Sequence, residues 1–337
     1  HFSKLFLDGD HGEEQVTLVD PKGFEVGMGI SVLDDRSQGF HTSVATIIGI
    51  EGDAFLLSRP LVTDCLVSSN ARASNAFPVI SGYHVENICI ENLLINGGKE
   101  SNHPITGCRA GGLYLYGANN VNIQGITVLD FNGDGISYQK SHDVVVSDCV
   151  VSGNTVFGLH PGSGSQRTVI RDCEITNNGE EGIFVCWRVK HGLFEGNRLT
   201  GNGVAGLTIG HKDTDNIIRD NIITGNGRYG ILFREELPQM GAHRNLVEGN
   251  VIKDNGSPEN TGYGIMVASD VQEVIITDNT IGNSGSQRFQ AFSIYSKSAH
   301  EVTFVGNMVD ADLKTFGKLT KDPVKPVFRL DEPQRGD

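Results

Sequence analysis

Glycines and asparagines in this 337-residue chain recur in step about every 24 residues, and few folds can carry three such rows at once. Gly112, Gly135, Gly158, Gly182, Gly206, Gly230 and Gly264 open the segments LYL, ISY, LHP, IFV, LTI, ILF and IMV, with first intervals of 23, 23, 24, 24 and 24. A second row runs Cys149, Cys173, Asn197, Asn221, Asn250, Asn279 and Asn307, and a third runs Asn154, Asn178, Asn202, Asn226, Asn255 and Asn283. Three rows in register predict three strands and three bends per coil. Runs such as VVVSD, TVIRD and NIIRD are too short for helices and alternate as half-buried strands do. So thin a unit buries its apolar face only by stacking on its neighbours. The fold class is all-β, a single-stranded parallel β-helix. Its bends are held by stacked asparagine amides, where Asn and Gly tolerate left-handed backbone.

A solenoid grows by adding coils, so the chain escapes the size limit of a single core. Residues 1–77 carry strand signals without the later period and predict irregular N-terminal β-coils or a cap. Residues 78–309 predict the helix, with insertions near 97–106, 236–241 and 257–263. The polar tail, 310–337, predicts a cover for the last coil. The net charge of −14 excludes a nucleic-acid partner, which needs a basic face. No apolar run is long enough to span a membrane, and the first residues carry no leader pattern. The start at His1 reads as a processed or trimmed terminus. The six cysteines (Cys65, Cys89, Cys108, Cys149, Cys173 and Cys186) fall where core rungs are expected, so free buried thiols are favoured over a disulfide framework.

Chemistry is expected where the repeat is least like itself. Counted from each opening glycine, offsets one and three should point inward, and offsets two, four and beyond outward or into the next turn. On adjacent coils the outward positions hold His160 with the loop PGSGS (including Ser163), then Cys186, Trp187 and Arg188, then His211, Lys212 and Asp213, then Arg234, Glu235 and Glu236. The preceding coil adds Asp134, Gln139 and Lys140. At about 4.8 Å per coil the strip spans about three sugar rings. A local cationic patch on an acidic body points to an anionic ligand, with Arg matched to a carboxylate. Each residue also has a bland reading, as a turn hydrogen-bonder, a surface ion pair or, for Trp187, a cover for the core. Their coincidence in one register favours function. PGSGS is no phosphate loop, since no GK[ST] follows. His160, Cys186 and His211 lack an established metal spacing, whereas Ca²⁺ on Asp213, Glu235 or Glu236 suits hard oxygen ligands.

From about residue 77 to 309, the motifs DGIS, GLHPGSGS, FVCWRV, LTIGHKDTDN and ILFREE resemble the pectin lyase-like superfamily of right-handed parallel β-helix proteins. The resemblance implies a carbohydrate-active enzyme with a polysaccharide groove on an exposed sheet. Alginate C5-epimerases of this fold carry DPHD after a coil glycine; GLHPGSGS is similar in placing proline there, with its histidine two places earlier and both acids missing. Polygalacturonase-type hydrolases are echoed by NGDG at 132–135 and GHK at 210–212, without their paired aspartates.

Three mechanisms follow. In β-elimination, Arg188 or Arg234 neutralises a uronate carboxylate and His160, His211 or Lys212 removes the C5 proton. In glycoside hydrolysis, Asp213 and Glu235 form the carboxylate pair. In the third, the groove only binds glycan. Cations and imidazoles outnumber the acids in the strip, which favours the lyase; Gln139, Lys140, Ser163, Trp187 and Glu236 are then expected to hold substrate. No cofactor beyond Ca²⁺ is expected, the expected partner is an anionic polysaccharide or oligosaccharide, and polymer breakdown implies a secreted or periplasmic setting.

Overall fold

The computed structural model describes residues 1–37, 41–285, 288–296, 302–310 and 313–316. From residue 80 onward each coil contributes one strand to each of three parallel sheets, of ten, nine and nine strands. The coil opened by Gly135 is representative: Ile136–Gln139 joins the first sheet, His142–Ser147 the second and Val150–Ser152 the third. Apolar residues at offset one pair coil to coil, Leu113 with Ile136, then Leu159, Ile183, Leu207, Ile231 and Ile265. These residues, with offset-three residues such as Leu115, Val185 and Phe233, fill one continuous core. The opening glycines face the same core: a Cβ on Gly158 would lie 2.5 Å from Ile175 and 2.8 Å from the Asn178 amide.

The asparagine rows are hydrogen-bonded ladders. In the second row Asn197, Asn221, Asn250 and Asn279 each donate their own backbone N–H and side-chain Nδ2 to the Oδ1 of the asparagine above. Nδ2 also reaches a strand carbonyl, as Asn221 does to Phe194 at 2.9 Å. The third row runs from Asn154 to Asn255 in the same way, but its next rung is Gln290, not Asn283. Asn283 instead binds the backbone of Gln290, so the longer glutamine reaches the rung from beyond an insertion. Cys149 and Cys173 occupy the early rungs as buried thiols, each within 3.1 Å of a backbone carbonyl. All six cysteines are free, yet Cys89 is exposed and Cys108 and Cys186 are half-buried, so only Cys65, Cys149 and Cys173 sit in the interior.

Outside the second row, one bend position repeats in left-handed conformation and, from Asp172 on, alternates Asp172, Gly196, Asp220, Gly249, Asp278 and Gly306. Each aspartate leans over the glycine of the following coil, where a Cβ would meet its carboxylate, at 2.6 Å for both Gly196 and Gly249.

Residues 2–74 follow a different plan. Six short strands pair antiparallel in the spatial order Phe2–Lys4, Arg72–Ser74, Gly29–Leu33, Ser43–Glu51, Ala54–Leu57 and Gln15–Thr17. The first and last meet through Phe6 N to Thr17 O (2.8 Å) and Val19 N to Lys4 O (2.9 Å), closing a small barrel around its own core of Leu5, Val16, Ile30 and Phe55. Closure leaves no free edge on which another strand could pair. The insertion at 97–110 packs Ile105 and Ala110 against Val44 and Ala76 of this end and Phe131 of the helix. At the far end Lys314–Phe316 adds the last strand of the first sheet, and the rest of the tail lies outside the described residues.

Candidate functional site

On the outward face of the first sheet, where a groove is expected, the offset-two residues are covered. Tyr114, Ser137, His160 and Thr208 are all buried. Over the first coils the cover is the 97–110 insertion: Tyr114 Oη donates to Cys108 O at 3.1 Å and Ser137 Oγ to Gly107 O. Farther along, the side chains cover one another. Phe157 stacks on Phe184 at 4.1 Å and 9°, and His160 meets both rings edge-on at 5.3 and 5.1 Å. Phe157 and Asp134 each precede an opening glycine, so residues at that position turn onto the same outer face as offset two. Asp134 Oδ2 lies 2.7 Å from His160 Nδ1, which leaves Nε2 without a partner among the described residues. The dyad is nonetheless closed off: His160 is 2 % exposed, Asp134 is fully buried, and Gly107 packs on the Asp134 carboxylate where no side chain would fit.

Arg234 is also spoken for. Its guanidinium lies 4.5 Å from the Phe184 ring centre and donates to Thr208 Oγ1 (2.9 Å), Val185 O (2.8 Å) and Asp213 Oδ2 (3.4 Å). Asp213 accepts Val189 N at 2.8 Å and Gly210 N at 3.0 Å. Burial pushes the Asp213 carboxyl up to about 6 against the pull of Arg234 and those backbone donors. The pair therefore braces the turn, contrary to the catalytic roles expected for both. Asp213 and Glu235 do not share a cleft as a hydrolytic pair should: the first is wholly inside, the second exposed.

The accessible chemistry lies on the rim. His211 Nδ1 is 2.8 Å from Glu236 Oε1, and its ring stacks on Trp187 at 5.0 Å and 20°. Arg188, next to Trp187 on the same coil, sits 5.5 Å from that ring centre, and Lys212 extends into solvent after its N–H bonds Met240 O at 2.7 Å. Burial lowers the His211 pKa; Glu236 draws it back, and the charges of Arg234 and Arg188 press it down again. The imidazole is therefore neutral at neutral pH. Lys140, Arg188, His211 and Lys212 all adopt left-handed backbone, which turns them out of the strand direction along one border of the groove. Lys140 lies 5.4 Å from the Tyr116 ring centre. Gln139 is buried with Nε2 on Ser137 Oγ, and Ser163 is half-buried, its N–H on Cys186 O. The expected residues thus divide into a rim group (Trp187, Arg188, His211, Lys212 and Glu236), a brace (Asp213 and Arg234) and a covered dyad at His160.

Glu181 was missed. It precedes an opening glycine, as Asp134 does, and reading that position backwards along the repeat would have found it. It is 8 % exposed, and its Oε2 has no hydrogen-bond partner among the described residues. Burial and the neighbouring Glu180 push its carboxyl up to about 7, against Arg234. A carboxyl whose folded pKa exceeds its unfolded value favours folding at low pH and loses that contribution as pH rises through the folded pKa. Between pH 4.5 and 7 wild type should lose on the order of 3 kcal/mol on this account. Thermal unfolding from pH 4 to 8 checks it: Glu181→Gln should flatten the acid-side slope, and an unchanged slope would place the cause elsewhere.

A solenoid of three parallel sheets defines the right-handed, pectin lyase-like class of β-helix proteins. Within that class the chain belongs to the NosD family: the family model described as "Periplasmic copper-binding protein (NosD)" matches residues 63–310. Among solved structures, the A-module of Azotobacter vinelandii mannuronan C-5 epimerase AlgE4 is similar over 73 % of this chain and 77 % of its own, at 16 % identity and a TM-score of 0.58. The AlgE6 A-module of the same organism is similar over 73 % and 78 %, at 15 % and 0.54. The alginate lyase from Paenibacillus sp. str. FPU-7 is similar over 72 % and 92 %, at 17 % and 0.50. At these identities the likeness shows the fold. No curated protein sequence matches the chain.

The copper in the family description finds no fitting donor set here. Among the described residues no three His, Cys, Asp or Glu side chains converge. Cys186 Sγ lies 3.9 Å from His211 Nδ1, but that nitrogen is already held by Glu236. The acids expected for Ca²⁺ are likewise divided, Asp213 inside its turn, Glu236 on His211 and Glu235 on the surface.

Proposed function

We propose that this protein is a polysaccharide lyase acting by β-elimination on a uronate-containing glycan bound along the first sheet, in the periplasm or outside the cell. One observation carries the reading: an accessible imidazole, fixed through Nδ1 by Glu236, lies on the rim beside Arg188, whose N–H binds His211 O, and next in the chain to exposed Lys212. A carboxylate held by Arg188 or Lys212 makes the C5 proton beside it more acidic. Nε2 of His211 takes that proton, the C–H electron pair becomes the C4–C5 double bond, and the C4–O bond breaks, its oxygen leaving with a proton from solvent. Glu236 orients the ring and stabilises the imidazolium that forms. Trp187 adds an apolar platform beside the base, 37 % exposed. The periplasmic setting is supported by the family description, and no helix among the described residues is long and apolar enough to cross a membrane.

The test is incubation with polyuronates and neutral polysaccharides, following the ultraviolet absorbance of the unsaturated uronate alongside reducing ends. Both should rise together on polyuronates alone. Reducing ends without absorbance would overturn the lyase in favour of hydrolysis. Solvent deuterium at C5 without cleavage would move the same proton abstraction to C5 epimerisation.

A further inference from the structure

Half-buried arginines in this molecule are matched to carboxylates. Among the described residues Arg72 pairs with Asp35, Arg219 with Glu195, Arg234 with Asp213 and Arg244 with Asp215. Arg59 and Arg109 are half-buried as well, and among those residues neither forms an ion pair. Taking a guanidinium partly out of water without a counter-ion is costly. Two such groups at one place, on a chain of net charge −14, call for an anion from outside.

The place is the end of the helix next to the barrel. Arg59, from the barrel, lays its guanidinium on the Tyr83 ring at 3.4 Å from the centre and donates Nε to Val44 O at 3.3 Å. Arg109, from the 97–110 insertion, follows Cys108, whose carbonyl receives Tyr114 Oη. Tyr83 lies 5.7 Å from Tyr114 and 6.2 Å from Tyr116, ring centre to ring centre, and Lys140 Nζ lies 5.4 Å from the Tyr116 ring. Burial pushes the Tyr83 hydroxyl up against the pull of Arg59 and Arg109, so it stays a neutral donor beside them. Three cations thus surround a pair of half-buried tyrosines, the composition that suits a sugar ring carrying an acid group.

This cluster lies on the same border as His211. Tyr83 pairs in register with Tyr116, Tyr116 with Gln139, Gln139 with Gly162 and Gly162 with Cys186, and Arg188 N on that coil binds His211 O on the next. Five coil steps of about 4.8 Å make about 24 Å, and a polysaccharide advances about one ring per step. Lys140, Ser163, Arg188 and His211 all turn out of the strand direction in left-handed bends along this path.

We propose that Arg59, Tyr83, Arg109, Tyr116 and Lys140 form a second binding subsite, for a carboxylate-bearing sugar, and that one polymer chain spans the border from there to His211. This deepens the lyase reading and rests on it for the identity of the polymer as a uronan. Two linked subsites reward a ligand long enough to reach both, since the second contact is made within the complex already formed.

The test measures binding by titration calorimetry, and elimination by ultraviolet absorbance, on trimers and octamers of mannuronate and of galacturonate. Wild type should bind the octamer of its preferred sugar at least about fiftyfold more tightly than the trimer, since each added charge-assisted contact strengthens binding severalfold or more. Extra binding registers alone give roughly sixfold. Arg109→Gln and Lys140→Gln should each reduce the octamer-to-trimer ratio at least severalfold. Lys140 is exposed at a bend, so its loss acts without disturbing the fold. A wild-type ratio near sixfold, or one that Lys140→Gln leaves undiminished, overturns the proposal even if unsaturated product forms. The length gain and its loss in both variants, without any unsaturated product, uphold it and sink the lyase reading. No binding of any of these oligomers sinks both.

Discussion

His211→Ala is expected to lower kcat/KM on a cleavable polyuronate by about 10²- to 10⁴-fold, the usual worth of a positioned general base, with the melting temperature near that of wild type. His211 is half-exposed and contributes no side chain to the core, so its loss should leave the coils stacked. The pH profile gives a second readout. The base must be neutral, so kcat/KM should rise with pH to a plateau whose acid limb lies below the ordinary imidazole value of 6.5. Glu236 is the group that holds this pKa up. Glu236→Gln should therefore move the acid limb to lower pH while reducing the plateau rate. A limb that stays in place, or a stability loss matching the activity loss in His211→Ala, would assign His211 a structural role.

The largest stability effect is expected inside the asparagine ladder. Asn221 Oδ1 accepts Asn197 N and Nδ2 at 2.9 and 3.0 Å, and its Nδ2 donates to Phe194 O and Asn250 Oδ1, both at 2.9 Å. Asn221→Ala strands the Asn197 N–H and the Phe194 carbonyl where water does not reach, a cost of about 3–5 kcal/mol. Urea unfolding should show a lower midpoint with an unchanged slope. Asn221→Cys should cost less, because Cys173 already fills such a rung with its thiol 3.1 Å from Arg171 O. Equal losses for the two variants would show that the rung's volume, and not its hydrogen bonds, supports the bend.

The coil plan was legible because each position in it answers a local demand that repeats. A glycine is needed where a Cβ would strike the core, an amide where backbone groups at a bend need partners, and an aliphatic residue where the strand faces inward. The barrel was not legible as a barrel, since closure depends on Phe6 and Val19 meeting Thr17 and Lys4, and nothing periodic marks that meeting. Gln290 was hidden by the insertion that displaces it from the period. At the site, the rim residues were found as deviations from the repeat, but their division of labour was not. Arg234 and Asp213 look as reactive in sequence as His211 and Glu236. Only burial separates them, and it comes from Phe184 and the turn at 210–213. Glu181 escaped because charge before a glycine reads as a surface turn until the neighbouring strands enclose it.

The aspartate and glycine alternation at one bend sets a counting rule for the solenoid. Between Asp172 and Gly306 an aspartate always has a glycine above it to receive its carboxylate. Removing a single coil there would seat carboxylate on carboxylate at about 4.8 Å, or leave glycine on glycine with nothing to fill the space. Removing two restores the sequence of partners. In this stretch the alternation repeats as a pair of coils, while Asp148 beneath Asp172 shows that one aspartate-on-aspartate step is tolerated, so lengthening or shortening by an odd number of coils should cost stability that an even number does not.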